Sequence, residues 1–191
     1  MAAHQGKSDK ALKTEGRGQT TYPFKLIFKL PGAQQDVNDL MHRLSQAQCT
    51  DALVGLGVAG HVALEFMREA SSAQVAVQSA LAAVQTAFPT AKLVEASPDW
   101  VGLTDAAELI GVSRQNMRKL MLSHPDHFPS PVHAGSTAIW HLTDILRFMQ
   151  ERALRAPAHM VEIAQETQRL NRRRGSAAAA RPRRIAMHRT A

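Results

Sequence analysis

The chain has 191 residues, room for one domain or two small ones. Its formal charge is +7, from 23 Lys and Arg against 16 Asp and Glu, and 45% of it is hydrophobic, enough to bury a core. One cysteine, Cys49, excludes an internal disulfide framework and a cysteine-based zinc finger. No apolar run approaches the roughly 18 residues of a membrane-crossing helix. The polar start lacks the apolar stretch of a secretory signal, so a cytoplasmic protein without a membrane partner is expected.

Residues 1–21 carry four cations and two anions without apolar periodicity and read as a disordered arm. Residues 22–99 read as a compact α+β unit. Phe24, Leu26, Phe28 and Leu30 alternate with Lys25, Ile27 and Lys29, the period of a half-buried strand closed by Pro31 and Gly32. Val37, Leu40, Met41 and Leu44 recur at helical spacing. A short apolar run over 51–56 and an alternating run over 61–67 predict two further strands. Val77, Leu81, Val84 and Phe88 mark a second helix, and 92–96 a last strand. The order strand, helix, strand, strand, helix, strand predicts a ferredoxin-like βαββαβ domain, its antiparallel sheet covered by two helices on one face.

Residues 100–155 change character. Thr104 is placed to cap a helix over 105–110, with Asp105 at the positive end of its dipole. Gly111 can take the left-handed conformation that stops it. Ser113 is placed to cap a second helix over 114–122, and residues 124–129 end that helix. Residues 132–140 fit a short hairpin, and Thr143 is placed to cap a third helix containing Ile145, Leu146, Phe148 and Met149. Ala106, Ala107 and Ile110 are small or apolar where two helices must approach closely, and Met117, Leu120 and Met121 face inward. Arg114, Gln115, Asn116, Arg118 and Lys119 are left facing outward. Arginine can bond guanine bidentately, Gln or Asn can bond adenine, and Arg or Lys can neutralise phosphate.

This segment resembles the winged helix-turn-helix of the MerR and phage excisionase group. The resemblance rests on Leu103, Thr104, Ala106 and Ala107, then Gly111-Val112-Ser113, a polar second helix, a wing from His133 to the aromatic Trp140, and Asp144 opening the third helix. It covers about 50 of the 191 residues. It implies DNA binding with the second helix in the major groove. The group has a cation in the wing where this chain has Ala134 to Ala138, so Ser136 and Thr137 would offer only hydroxyls. No long coiled-coil helix follows.

From residue 156 the chain is basic and reads as a mostly disordered tail, in which residues 159–171 fit a short helix with only a thin apolar stripe (Met160, Ile163, Leu170). The segment 152–191 holds ten cations and two anions, a net +8 that exceeds the total for the whole chain. Arg172, Arg173, Arg174, Arg181, Arg183 and Arg184 resemble arms that track phosphates or enter a minor groove. As a tail, everything after Arg155 would be removable without loss of specificity.

Other signals favour the plainer alternative. Gly55, Gly57 and Gly60 fit a dinucleotide fingerprint, but the parallel strand and helix it needs do not follow, and a hairpin turn fits better. His124 and His127 flank Pro125-Asp126 without a third ligand, a polar turn rather than a metal site. Cys49 has no cationic activator nearby in sequence, and no arrangement of Ser, His and Asp suggests nucleophilic catalysis. Trp100 and Trp140 are expected to pack the junction between domains.

The expected protein is therefore not an enzyme and needs no cofactor or metal. It is a sequence-specific binder of double-stranded DNA of the bacterial transcriptional-regulator type, acting as a homodimer. Ser113 and Lys119 are expected to meet phosphates, and Arg114, Gln115, Asn116 and Arg118 to meet bases. The alternatives are an excisionase-like architectural protein or an antitoxin, and more distantly a nucleotide-binding protein using Gly55 to Gly60.

Overall fold

Strand β1 (Thr20–Lys29) buries Tyr22, Phe24, Leu26 and Phe28 and turns Lys25 and Lys29 outward, the alternation its sequence dictates. The computed structural model describes residues 18–31 and 36–179, with side chains to Ser176. Residues 1–17, most of the expected arm, lie outside the described residues; its last two, Thr20 and Thr21, belong to the sheet.

Helix α1 (Val37–Gln46) starts on Asp36, whose carboxylate accepts the Asn38 N–H at 3.0 Å. Strands β2 (Ala52–Gly55) and β3 (His61–Ala70) form a hairpin. Gly60, with φ at 73°, turns the chain into β3, and its carbonyl accepts the Leu30 N–H at 2.8 Å. Helix α2 (Ala73–Ala87) is capped by Ser72, and β4 (Lys92–Ser97) closes the unit. The four strands lie in the order β2-β3-β1-β4, all neighbours antiparallel. Fully buried residues such as Leu26, Leu64 and Phe66 each contribute about 1.5–3 kcal/mol by leaving water.

A second, three-stranded sheet follows, in the order β5-β7-β6, from β5 (Trp100–Val101), β6 (His133–Ala134) and β7 (Ala138–His141). Helices α3 (Leu103–Ile110) and α5 (Leu142–Glu151) pack with it, and α4 (Arg114–Ser123) packs on α3. The architecture is mixed α+β, with antiparallel sheets and six helices among the described residues.

The sixth helix corrects the expected tail. Residues Ala158–Ala179 form α6, a 22-residue helix packed on β4, β1, α2 and α5. Met160, Ile163 and Ala164 are buried in the common core, and Glu166, Thr167, Gln168 and Asn171 are buried beside them. Tyr22 donates its hydroxyl to Glu162 at 2.6 Å, fixing the first turns of α6 to β1. That bond raises the Tyr22 pKa above the usual value for tyrosine, with burial adding to the effect. Removing the chain after Arg155 would strip this face from the core, so the segment is not a dispensable appendage.

Asn171 carries the closest link. Its carboxamide donates to Ala96 O at 2.8 Å and accepts from Ala96 N at 2.9 Å, occupying the positions a neighbouring strand would use. It also donates to Asp99 Oδ2 at 2.8 Å. Asp99, only 1% exposed, accepts from the Leu142 N–H through its carbonyl at 2.7 Å and pairs with His141 Nδ1 at 2.6 Å. Thr167 donates to Pro98 O at 2.5 Å. The expected boundary between residues 99 and 100 thus falls inside a buried hydrogen-bonded junction joining both sheets, α5 and α6.

Candidate nucleic-acid interface

The helix pair α3–α4 is built on close approach. Ala106, Ala107 and Ile110 are buried on α3, and Met117 is fully buried on α4. Gly111 stops α3 at φ 81° and ψ 33°, the left-handed conformation expected of it. Its N–H bonds to Ala107 O at 3.0 Å and to Glu108 O at 3.1 Å, and Val112 N–H also reaches Ala107 O at 2.9 Å. These bonds satisfy the last carbonyls of α3 and fix the angle at which α4 leaves.

Two of the expected caps move. The N-cap of α3 is Gly102, not Thr104; Asp105 reaches back to accept the Gly102 N–H at 3.1 Å. The N-cap of α5 is His141, not Thr143, which lies inside the helix with its buried hydroxyl unpartnered. Both helices start earlier because the preceding backbone is already held, Leu142 N–H by Asp99 O and Gly102 N–H by Asp105. Ser113 does cap α4, its Oγ accepting the Asn116 N–H at 3.1 Å.

The side chains of Arg114, Gln115, Asn116, Arg118 and Lys119 are exposed, and among the described residues none of these three cations is in an ion pair. At about 100° per residue, Gln115 and Lys119 lie opposite the buried Met117. Arg114 and Arg118 share one flank, and Asn116 lies on the other. Leu122 falls on the outward row and is 62% exposed. An apolar side chain near a helix end reads as core from sequence; its position off the Met117 stripe is the signal that sets Leu122 apart.

Ser136 and Thr137 are exposed in the turn between β6 and β7. Behind the hairpin, Trp140 is buried, donates Nε1–H to Pro129 O at 2.9 Å and meets Phe128 edge-on. Trp140 thus packs within this unit, and Trp100 is 40% exposed rather than sealed at a junction. His124 turns back to Leu120 O at 3.0 Å, with its ring against Phe148.

The tail arginines separate. Arg172 and Arg173 are exposed on α6, Arg174 is half-buried beside them, and Arg181, Arg183 and Arg184 lie outside the described residues. Arg172 to Arg174 therefore sit on a helix packed against the first sheet and α5, while the α4 cations sit on a helix packed against α3. Gly55, Gly57 and Gly60 serve the β2–β3 hairpin in a sheet without parallel neighbours, unlike a dinucleotide fold.

Among the described residues, no helix is long and apolar enough to cross a membrane, and no cluster of His, Cys, Asp and Glu could hold a metal ion. Compared with protein-family models, with curated proteins and with solved structures, the chain matches none.

Proposed function

We propose that this protein binds double-stranded DNA sequence-specifically, as a transcriptional regulator of bacterial type, with residues 100–155 as a winged helix-turn-helix and α4 in the major groove. The observation that carries this reading is the outward face of α4. Two arginines, a lysine and two amides face outward, the cations free of ion pairs among the described residues, on a helix anchored by Met117 and capped by Ser113. An unpaired basic helix face that also carries amides suits both phosphate and base-edge contacts. Leu122 adds an apolar group of the kind that meets a thymine methyl. Ser136 and Thr137 at the wing tip, and the arginines of α6 and beyond, add backbone contacts.

The first sheet, with its strand order β2-β3-β1-β4, supports a ferredoxin-like assignment for residues 22–99. This unit supplies the surface for homodimerisation, which would give the two half-sites such modules use.

The test is binding-site selection from random duplexes, followed by fluorescence anisotropy over a salt series. Arg114→Ala with Arg118→Ala is expected to cost about 1–3 kcal/mol per lost bidentate base contact and to relax the selected sequence. Lysine or arginine substitutions that touch only phosphate flatten the salt slope and leave the preference intact. A double variant that still selects the same site would refute the assignment of α4.

A further inference from the structure

Among the described residues nothing covers the sheet face opposite α2 and α6. Together with β5 and α3 it bounds an open groove of about 720 Å³. Its apolar floor includes Leu53, 71% exposed, Met67, 66% exposed, and Trp100, with Pro23 and Leu109 completing it. Single exposed apolar side chains need no explanation, but several lining one concavity do.

The charge of the groove is one-sided. Asp51, Glu65, Glu95, Asp105 and Glu108 line it, and Lys25 is its one cation among the described residues. Asp51 is neutralised by Arg68 at 2.6 Å. Four carboxylates then face one ammonium, and Lys25 approaches Glu65 only to 4.0 Å. An occupant must be cationic and must carry apolar side chains.

Residues 180–191 have that chemistry. They hold Arg181, Arg183, Arg184 and Arg189 with Ile185 and Met187 between them, and no acidic side chain. The expected N-terminal arm is poorer, with two acids among its four cations. The segment also has the reach. Asn171 of α6 is bonded to Ala96 and Asp99, next to the groove-lining Ser97, Pro98 and Trp100. Eight further helical residues carry the chain about 12 Å. The six residues to Ile185 span up to about 20 Å when extended, enough to return.

We propose that the groove between the open face of the first sheet and α3 is a docking site for the chain's own segment 181–187. The carboxylates hold the arginines, and Ile185 and Met187 cover Leu53, Met67 and Trp100. The attachment is regulatory: the same arginines cannot lie in the groove and on a phosphate at once.

Trp100 provides the readout. Acrylamide quenching is measured on the full chain, with Trp100→Phe supplying the share of the buried Trp140 and circular dichroism confirming the fold of every variant. Trp100 is expected to be protected in the native sequence. It should lose that protection in Arg181→Glu/Arg183→Glu/Arg184→Glu, and equally in Glu65→Lys/Glu108→Lys. Combining the two sets exchanges the charges and should restore it. Equal quenching in the native chain and the tail variant overturns the proposal. So does protection that grows with protein concentration, which would give the groove to a second copy.

Discussion

Helices α4 and α6 are both rich in polar residues, with three cations on α4 and four on α6, yet they use their polarity in opposite ways. On α4 the polar side chains point away from the protein and the single fully buried residue is Met117. On α6 the inward face itself is polar: Glu166, Thr167, Gln168 and Asn171 are buried, and Thr167 and Asn171 bond to the backbone of Pro98 and Ala96. Polarity in a helix is therefore no measure of exposure. What separates the two is that on α6 Thr167 and Asn171 find distant partners inside the protein, although the buried Gln168 Nε2 has none among the described residues.

Asparagine exposes the difference most sharply, because each helix has one at a decisive place. Asn171→Leu should leave the Ala96 N–H and carbonyl and one Asp99 oxygen without partners, destabilising the fold by about 3 kcal/mol in urea titration. Tyr22→Phe should cost about 1 kcal/mol by freeing the start of α6 from β1. It also carries a pH signature. The raised Tyr22 pKa means that its contribution is complete below the ordinary tyrosine value of about 10 and is lost as pH rises through the folded value. The gap between native chain and variant, followed by chemical denaturation from neutral to alkaline pH, should therefore close at the alkaline end. Asn116→Ala, on the exposed face of α4, should shift stability by no more than about 0.5 kcal/mol. A large loss there, or none at Asn171, would erase the distinction between the helices.

The same contrast explains what could be read in the chain beforehand. The element order of residues 22–99 was legible because those strands and helices bury apolar residues with periods of 2 and 3.6. The turn between α3 and α4 was legible because Gly111 and Ser113 are the residue types their backbone positions require. Of α6 only a short helix over 159–171 was legible, and not its length or packing, because its buried stripe is completed by Glu166, Thr167 and Asn171, which a hydrophobic pattern counts as solvent-facing. The distant partners of Thr167 and Asn171, Pro98, Ala96 and Asp99, lie about seventy residues away, with separations of 69, 75 and 72 for the bonds concerned. Thr104 and Thr143 misled for a related reason: each is a good cap by type, but a distant or neighbouring group had already claimed the helix start. The groove beside α3 was invisible because it is assembled from β1, β2, β3, β4, β5 and α3, none of which shows a concavity in its own sequence.

The carboxamide of Asn171 makes the first sheet directional. At Ala96 it already occupies the donor and acceptor that β4 would offer to an incoming strand. At the opposite margin β2 has only four residues and pairs with β3 alone. A polypeptide that lengthens this sheet by hydrogen-bonded pairing must therefore be added beside β2, where the short strand limits how much of it can be held. The sheet thus has one margin blocked at Ala96 by a side chain of α6 and one short margin at β2.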